Sequence, residues 1–161
     1  MTWSYCEQWN RVLNKPLGPL DENMARQFHE TGETYTAFRD DAGSGRVLIE
    51  IRLETGYAAT RFIDEQGRDE LAYIFMRNGD KLFLQEIVSY EYGQDTGARG
   101  RIPLVVESYT FTPGGVVRHR TDDSRVDTIA VEDIDSVDVS AHWEAIPEFG
   151  QYDAIAKYGR A

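Results

Sequence analysis

Residues 71–92 read LAYIFMRNGDKLFLQEIVSYEY, and the reading of this stretch decides the fold. Two runs rich in β-branched and aromatic residues flank Asn78-Gly79. An Asn-Gly pair so placed is the strongest short-range signal of a β-hairpin, because a type I′ turn needs φ > 0 at both central residues. A two-residue turn there sets Phe75 opposite Leu82, Tyr73 opposite Leu84, and Ile74 opposite Phe83 on the other surface. Both surfaces then carry apolar pairs. The hairpin is therefore expected in the middle of a sheet, with something covering each side.

The flanking sequence extends the pattern. On the N-terminal side Val47, Ile49, Ile51 and Leu53 alternate with Leu48, Glu50, Arg52 and Glu54, a half-buried strand. Tyr35 and Ala37 open another strand after Glu33, and residues 57–63 a third, with turns at residues 40–45, Thr55-Gly56 and Gly67. On the C-terminal side, residues 102–112 and 116–121 form a second hairpin around Pro113-Gly114-Gly115. Residues 126–131 and 137–139 supply further strands. The total is about eight strands at regular spacing without strand–helix alternation, which excludes βαβ units and a parallel sheet. The predicted fold class is mainly β (α+β). It is an antiparallel meander, strongly curved or closed into an up-and-down barrel.

Helices are expected at both ends of a single domain. Ser4-x-x-Glu7 has the form of a capping box, and Tyr5, Cys6, Trp9, Val12 and Leu13 recur at helical spacing, so residues 4–14 read as a short amphipathic helix. Asp21 caps a second helix with Met24, Ala25 and Phe28 as its buried stripe and Gly32 as its stop. His29, in its last turn, would complement the helix dipole as an imidazolium. Residues 147–158 read as a terminal helix docked through Phe149, Tyr152, Ile155 and Ala156. The domain thus divides into a helical segment 1–32, a sheet or barrel 33–140 and a helical tail 141–161.

Composition narrows the function. The chain has 161 residues, 41% of them hydrophobic, and a net charge of −11. That charge argues against nucleic acid and against anionic membrane surfaces, and it suits a basic protein partner found by electrostatic steering. The opening MTWSYCEQWNRVL lacks the basic and apolar regions of a signal peptide, and no apolar run approaches the roughly 18 residues of a membrane span. The lone Cys6 has no partner for an internal disulfide. A cytoplasmic protein is expected, with Cys6 as a small buried apolar residue.

Three places carry chemistry. In the second hairpin, a loop closed by Pro113 to Gly115 sets His119 opposite Tyr109 with Glu107 on the same surface. In a barrel these would line a ligand pocket with Tyr73 and Leu84. The acidic residues Asp122, Asp123, Glu132, Asp133, Asp135 and Asp138 could form a partner surface, with Trp143 as an aromatic anchor. Asp133-x-Asp135 lacks the glycine and the distal glutamate of an EF-hand loop. The loop 93–101, with three glycines and with Arg99 and Arg101, reads as an exposed flap or partner-contacting tip.

No GxSxG, HExxH, GxGxxG, GxxxxGK[ST] or CxxC motif is present, and His29, His119 and His142 show no metal-ligand spacing. No catalytic residue, metal or cofactor is assigned, and a binding protein is preferred to an enzyme. The first expectation is a small acidic binding protein that neutralises or regulates a basic protein partner. The class-level analogy is with immunity proteins of bacterial toxin systems. The second is a calycin-like barrel around a small apolar or amphipathic ligand. A filled interior favours the first and a lined cavity the second.

Overall fold

The computed structural model describes residues 2–41, 45–94, 97 and 99–160. Its strands are β1 Ser4–Asn10, β2 Lys15–Leu20, β3 Tyr35–Asp41, β4 Gly45–Arg52, β5 Tyr57–Ile63, β6 Asp69–Asn78, β7 Lys81–Glu91, β8 Val105–Phe111, β9 Val117–Asp123, β10 Ala130–Ile134 and β11 Trp143–Ala145. Helix α1, Glu22–Thr31, lies between β2 and β3. All pairings are antiparallel, in the order β10-β9-β8-β7-β6-β5-β4-β3-β1-β2, and β11 pairs with the start of β7. From β3 to β10 the sheet is the expected meander. It is open: β10 and β2 are its two edges, and among the described residues no ladder joins them.

The hairpin β6–β7 sits inside the sheet, as its two apolar surfaces require. Its turn is one residue further on than the Asn-Gly reading. Asn78 pairs with Lys81, so the central residues are Gly79 and Asp80, and Phe75 faces Leu84 rather than Leu82. The ladder is displaced by two residues, which leaves every side chain on its expected surface. Gly79 has φ 67° while Asn78 and Asp80 are not in the positive region, the II′ pattern with glycine first. A bulge at Gln85 then brings Tyr73 opposite Ile87.

One surface of the sheet carries the main core: Tyr35, Ala37, Val47, Ile49, Ile51, Ala58, Phe62, Tyr73, Phe75, Leu82 and Leu84. Its cover is α1 and the chain's own C-terminal segment. Thr60 donates from Oγ1 to the Ile155 carbonyl at 2.7 Å, and both residues are buried. The Tyr35 and Tyr152 hydroxyls meet at 2.9 Å, and His29 Nδ1 lies 2.8 Å from the Tyr35 hydroxyl. Trp3 packs edge-on to Tyr152, Tyr5 stacks on Phe149, and Phe62 meets Tyr158 edge-on. On the opposite surface Cys6, Trp9, Leu48 and Ile63 form a smaller cluster with Phe38. Phe83, on the far side of the central hairpin, is covered by His142 and Trp143.

Both terminal helices of the sequence reading are replaced by other structure. Residues 4–14 are a strand and the start of a hairpin. The helical spacing of Cys6 and Trp9 arises differently: the β1–β2 ladder lacks the Glu7–Gly18 pair, and both residues join one cluster despite their odd separation. Residues 147–158 are a chain of turns, and Tyr152, Ile155 and Ala156 are nevertheless buried. Gly150 has φ 81°, and a residue in the left-handed region inside the segment interrupts an α-helix there.

The middle helix forms as its caps dictate. Met24 N donates to Asp21 Oδ1 at 2.8 Å, and Gly32 closes the end in the left-handed region. Of its expected stripe only Ala25 is fully buried, and Met24 is 45% exposed. His29 is half-buried, and desolvation lowers its pKa, so burial opposes the charged form that a dipole partner needs; its Nδ1 instead meets the Tyr35 hydroxyl. No strand covers residues 137–139. Instead Val137 N donates to the Gly115 carbonyl at 2.9 Å, tying this segment to the tip of the β8–β9 hairpin. Residues 42–44 of the expected turn, and residues 95, 96 and 98 of the expected loop, lie outside the described residues.

Candidate functional site

Strands β8, β9 and β10 extend the sheet beyond the part that α1 and the C-terminal segment cover. The register makes this extension legible in detail. Tyr109 faces His119, Glu107 faces Thr121, and His119 in turn faces Glu132. The β8–β9 pairing is the one expected from a loop closed at Pro113 to Gly115.

On the surface continuous with the core, the His119 and Tyr109 rings stack at 4.3 Å with their planes 5° apart. His119 Nε2 lies 3.3 Å from Thr121 Oγ1 and 3.9 Å from Glu107 Oε1. The side chain of His119 is 24% exposed and that of Glu107 40%. Phe111 closes the inner end of this surface against the buried His142, whose Nδ1 donates to the Leu84 carbonyl at 3.0 Å. The result is an aromatic platform of Tyr109 and His119, rimmed by Glu107 and Glu132 and open to solvent.

The acidic candidates divide by what holds them. Asp133 forms a two-pronged pair with Arg118, at 2.9 and 3.2 Å, and its pKa is lowered by that hydrogen bond. Asp123 is likewise engaged by Arg125 and lowered. Asp138 accepts the Ser140 N–H at 3.0 Å, which lowers its pKa and fixes the turn leading to β11. Among the described residues Glu132 and Asp135 have no cationic partner. Asp122 lies on the opposite surface, lining a cleft with Arg61, Tyr90 and Arg120. Trp143 is on β11, its ring 4.9 Å from Phe83, and belongs to the packing there.

The pocket candidates do not converge. Tyr73 and Leu84 are buried in the main core, while Glu107, Tyr109 and His119 are on the exposed extension. The clefts around Trp9, Arg61, Tyr90 and Tyr158 are lined by none of these five. Arg99 and Arg101 are exposed in a short 3-10 turn, and Arg101 borders a cleft of about 240 Å³ with Arg68 and Tyr92.

Sequence reasoning missed a charged network on the opposite surface of the sheet. Arg11, from the β1–β2 turn, reaches Glu50 at 3.3 Å and Asp69 at 3.2 Å. Arg61, 13% exposed, lies 3.5 Å from the same Glu50. Burial acts to lower the Arg61 pKa, but Glu50 and Asp69 outweigh it and the pKa is raised. Burial followed by these carboxylates raises Tyr57 and Tyr90 beside it. The network borders a polar cleft of about 890 Å³ lined also by Glu7, Arg52 and Phe28. Two arginines balance two carboxylates in charge, but the buried Nε of Arg61 has no hydrogen-bond partner among the described residues. The signal was Arg61 inside the apolar run YAATRFI, a buried charge that demands a partner.

No group of three or more metal-ligating side chains occurs among the described residues. No helix is long and apolar enough to cross a membrane. Compared with family models, curated proteins and solved structures, the chain matches none.

Proposed function

We propose that this chain is a small acidic binding protein that neutralises or regulates a basic protein partner, which it meets through the extension β8–β10. The observation that carries the reading is β10. All five of its residues are exposed, although it is hydrogen-bonded into the sheet. Such a strand buries little of its own surface, so its contribution to a hydrophobic core is small. Beside it stand the stacked Tyr109 and His119, the kind of aromatic centre that anchors interfaces, within a rim of Glu107 and Glu132.

Two further features support protein binding over ligand carriage. The sheet is open, and the space a barrel would offer to a ligand is taken by Tyr152, Ile155 and Ala156 of the chain itself. The net charge of −11 raises the rate of encounter with a basic protein, an effect that salt suppresses because the Debye length is about 8 Å at physiological ionic strength. Cys6, buried with its pKa pushed up to about 11 by desolvation, is an inert thiol compatible with a reducing cytosol.

The test is a photo-cross-linking residue in place of Tyr109, with one in place of Gln66 as the control on a remote turn. The expected product is a basic protein captured from cells by the first variant and not by the second. Its association rate with the native chain should fall about ten-fold or more on reversing Glu107 and Glu132 together, and fall with added salt. Unchanged association rates in low salt would refute this surface.

A further inference from the structure

The two edges of the sheet are built differently. Strand β2 reads KPLGPL. Pro16 and Pro19 have no N–H to offer, and proline on an edge strand is a device against further pairing. Strand β10 reads AVEDI, has no proline, and is exposed on both surfaces. Among the described residues its only ladder is the one to β9, so its outer edge presents unpaired N–H and C=O groups. Exposed apolar side chains lie on it and just before it: Val131 at 56%, Ile134 at 40% and the preceding Ile129 at 49%. A natural edge of this kind is either protected or used.

We propose that β10 receives an extended basic segment of the protein partner as an added strand. This rests on the acidic-surface reading above and specifies how the contact is made. Backbone hydrogen bonds to β10 supply the affinity, and side-chain alternation supplies the selectivity. On the aromatic surface the incoming strand meets Glu132 and Ile134, which are backed on β9 by His119 and Val117 respectively. It should therefore carry Lys or Arg opposite Glu132 and an apolar residue opposite Ile134. On the other surface it meets Val131 and Asp133, and Asp133 is already held by Arg118. An apolar residue opposite Val131 and a small polar one opposite Asp133 complete the pattern.

A second copy of the chain is the wrong occupant. Two-fold antiparallel pairing of β10 that engages all five residues sets Glu132 against Glu132, and like charges directly opposite are destabilising. The net charge of −11 on each copy adds to the repulsion.

The probe is the capped peptide Lys-Ile-Thr-Lys-Val-Thr-Lys, titrated into the native chain while the amide resonances of residues 130–134 are followed. Two N-methylated forms are compared, one blocking the alternate amides that face β10 and one blocking those that face away. Saturable shifts confined to β8–β10 are expected. The inward-methylated peptide should bind about ten-fold or more weakly, from the loss of at least two backbone hydrogen bonds, and the outward-methylated one about as well as the parent. The Val131→Pro variant, checked for an unchanged spectrum outside β8–β10, should lose the peptide to a similar extent. Glu132→Lys should weaken it through charge alone.

Equal binding of both methylated peptides, with Glu132→Lys still harmful, would overturn strand addition and leave the acidic-surface reading standing. Indifference to Glu132→Lys as well would overturn both. Concentration-dependent dimerisation abolished by Val131→Pro would show that the edge takes a second copy and would overturn the proposed occupant.

Discussion

Replacing Thr60 by Val should unlatch the C-terminal segment. Thr60 lies on β5 between Ile49 and Tyr73 and is fully buried. Its hydroxyl is the described donor to the Ile155 carbonyl, at 2.7 Å. Valine has nearly the same shape but cannot donate. The hydrogen bond is worth about 1 kcal/mol net, and stranding a buried acceptor costs about 1–3 kcal/mol. The extra methyl returns a fraction of that through burial, about 0.8 kcal/mol per CH₂ at most. The expected loss is therefore about 2 kcal/mol. For a chain of this length each kcal/mol moves the melting temperature by about 2–4 °C, so the midpoint should fall by roughly 4–8 °C. Thr60→Ser keeps the donor and loses one methyl, and should cost about 1 kcal/mol. Urea unfolding of the three proteins gives the difference, with unchanged m-values showing that the native fold is shared. Trypsin cleavage after the exposed Lys157 reports whether the segment opens locally before global unfolding. A Val variant as stable as the native chain, or more stable than the Ser variant, would refute the claim that this hydroxyl holds the segment in place.

Three other positions have expected outcomes of their own. His29 has a pKa lowered by burial, so the unfolded chain takes up a proton before the folded one does; stability should fall as pH drops below about 6.5 towards the folded value, and the slope of unfolding free energy there should flatten in His29→Gln. Gly79 has φ 67° and nothing within 4 Å of where a Cβ would stand, so Gly79→Val should cost only the backbone penalty, about 1–2 kcal/mol by urea unfolding, and a neutral result would contradict the turn assignment. The Arg118–Asp133 pair is 64% and 54% exposed, so Asp133→Ala should leave the urea midpoint essentially unchanged, and a clear drop would mean that β10 is more deeply integrated than its exposure implies.

The middle of the fold was legible and its ends were not, for a physical reason. Strands β3 to β9 repeat a period of two and, apart from the longer connection between β7 and β8, are joined by short turns, so each pairs with its neighbours in sequence. The β8–β9 register was readable because one short loop fixes it. At the ends, local pattern and tertiary context disagree. The spacing of Cys6 and Trp9 imitates a helix, although both lie on strand β1 and are buried in one cluster. Residues 147–158 have the apolar content of an amphipathic helix and instead follow the sheet as turns. The charged network around Arg61 joins residues from β1–β2, β4, β5 and β6, a convergence that no linear pattern encodes. The acidic candidates were found as a cluster. Which of them lack a cationic partner among the described residues, Asp122, Glu132 and Asp135, and which are engaged, Asp123, Asp133 and Asp138, depends on neighbours that only the folded chain supplies.

The sheet thus does two jobs with different residues. Its central strands and the C-terminal segment form a closed packing unit in which Tyr35, Tyr73, Tyr152 and Ile155 are all within 1% of full burial. Substitution there acts through cavities and stranded polar groups. In β10 none of the five residues is buried, and His119 and Glu107 next to it are only partly so. Surface substitution away from packing costs less than about 0.5 kcal/mol, so these positions are free to vary without endangering the fold. A binding surface placed there can be altered with little penalty in stability. The same separation makes the binding proposals testable, because variants at Glu132 or Glu107 should leave the unfolding midpoint where it is while changing association.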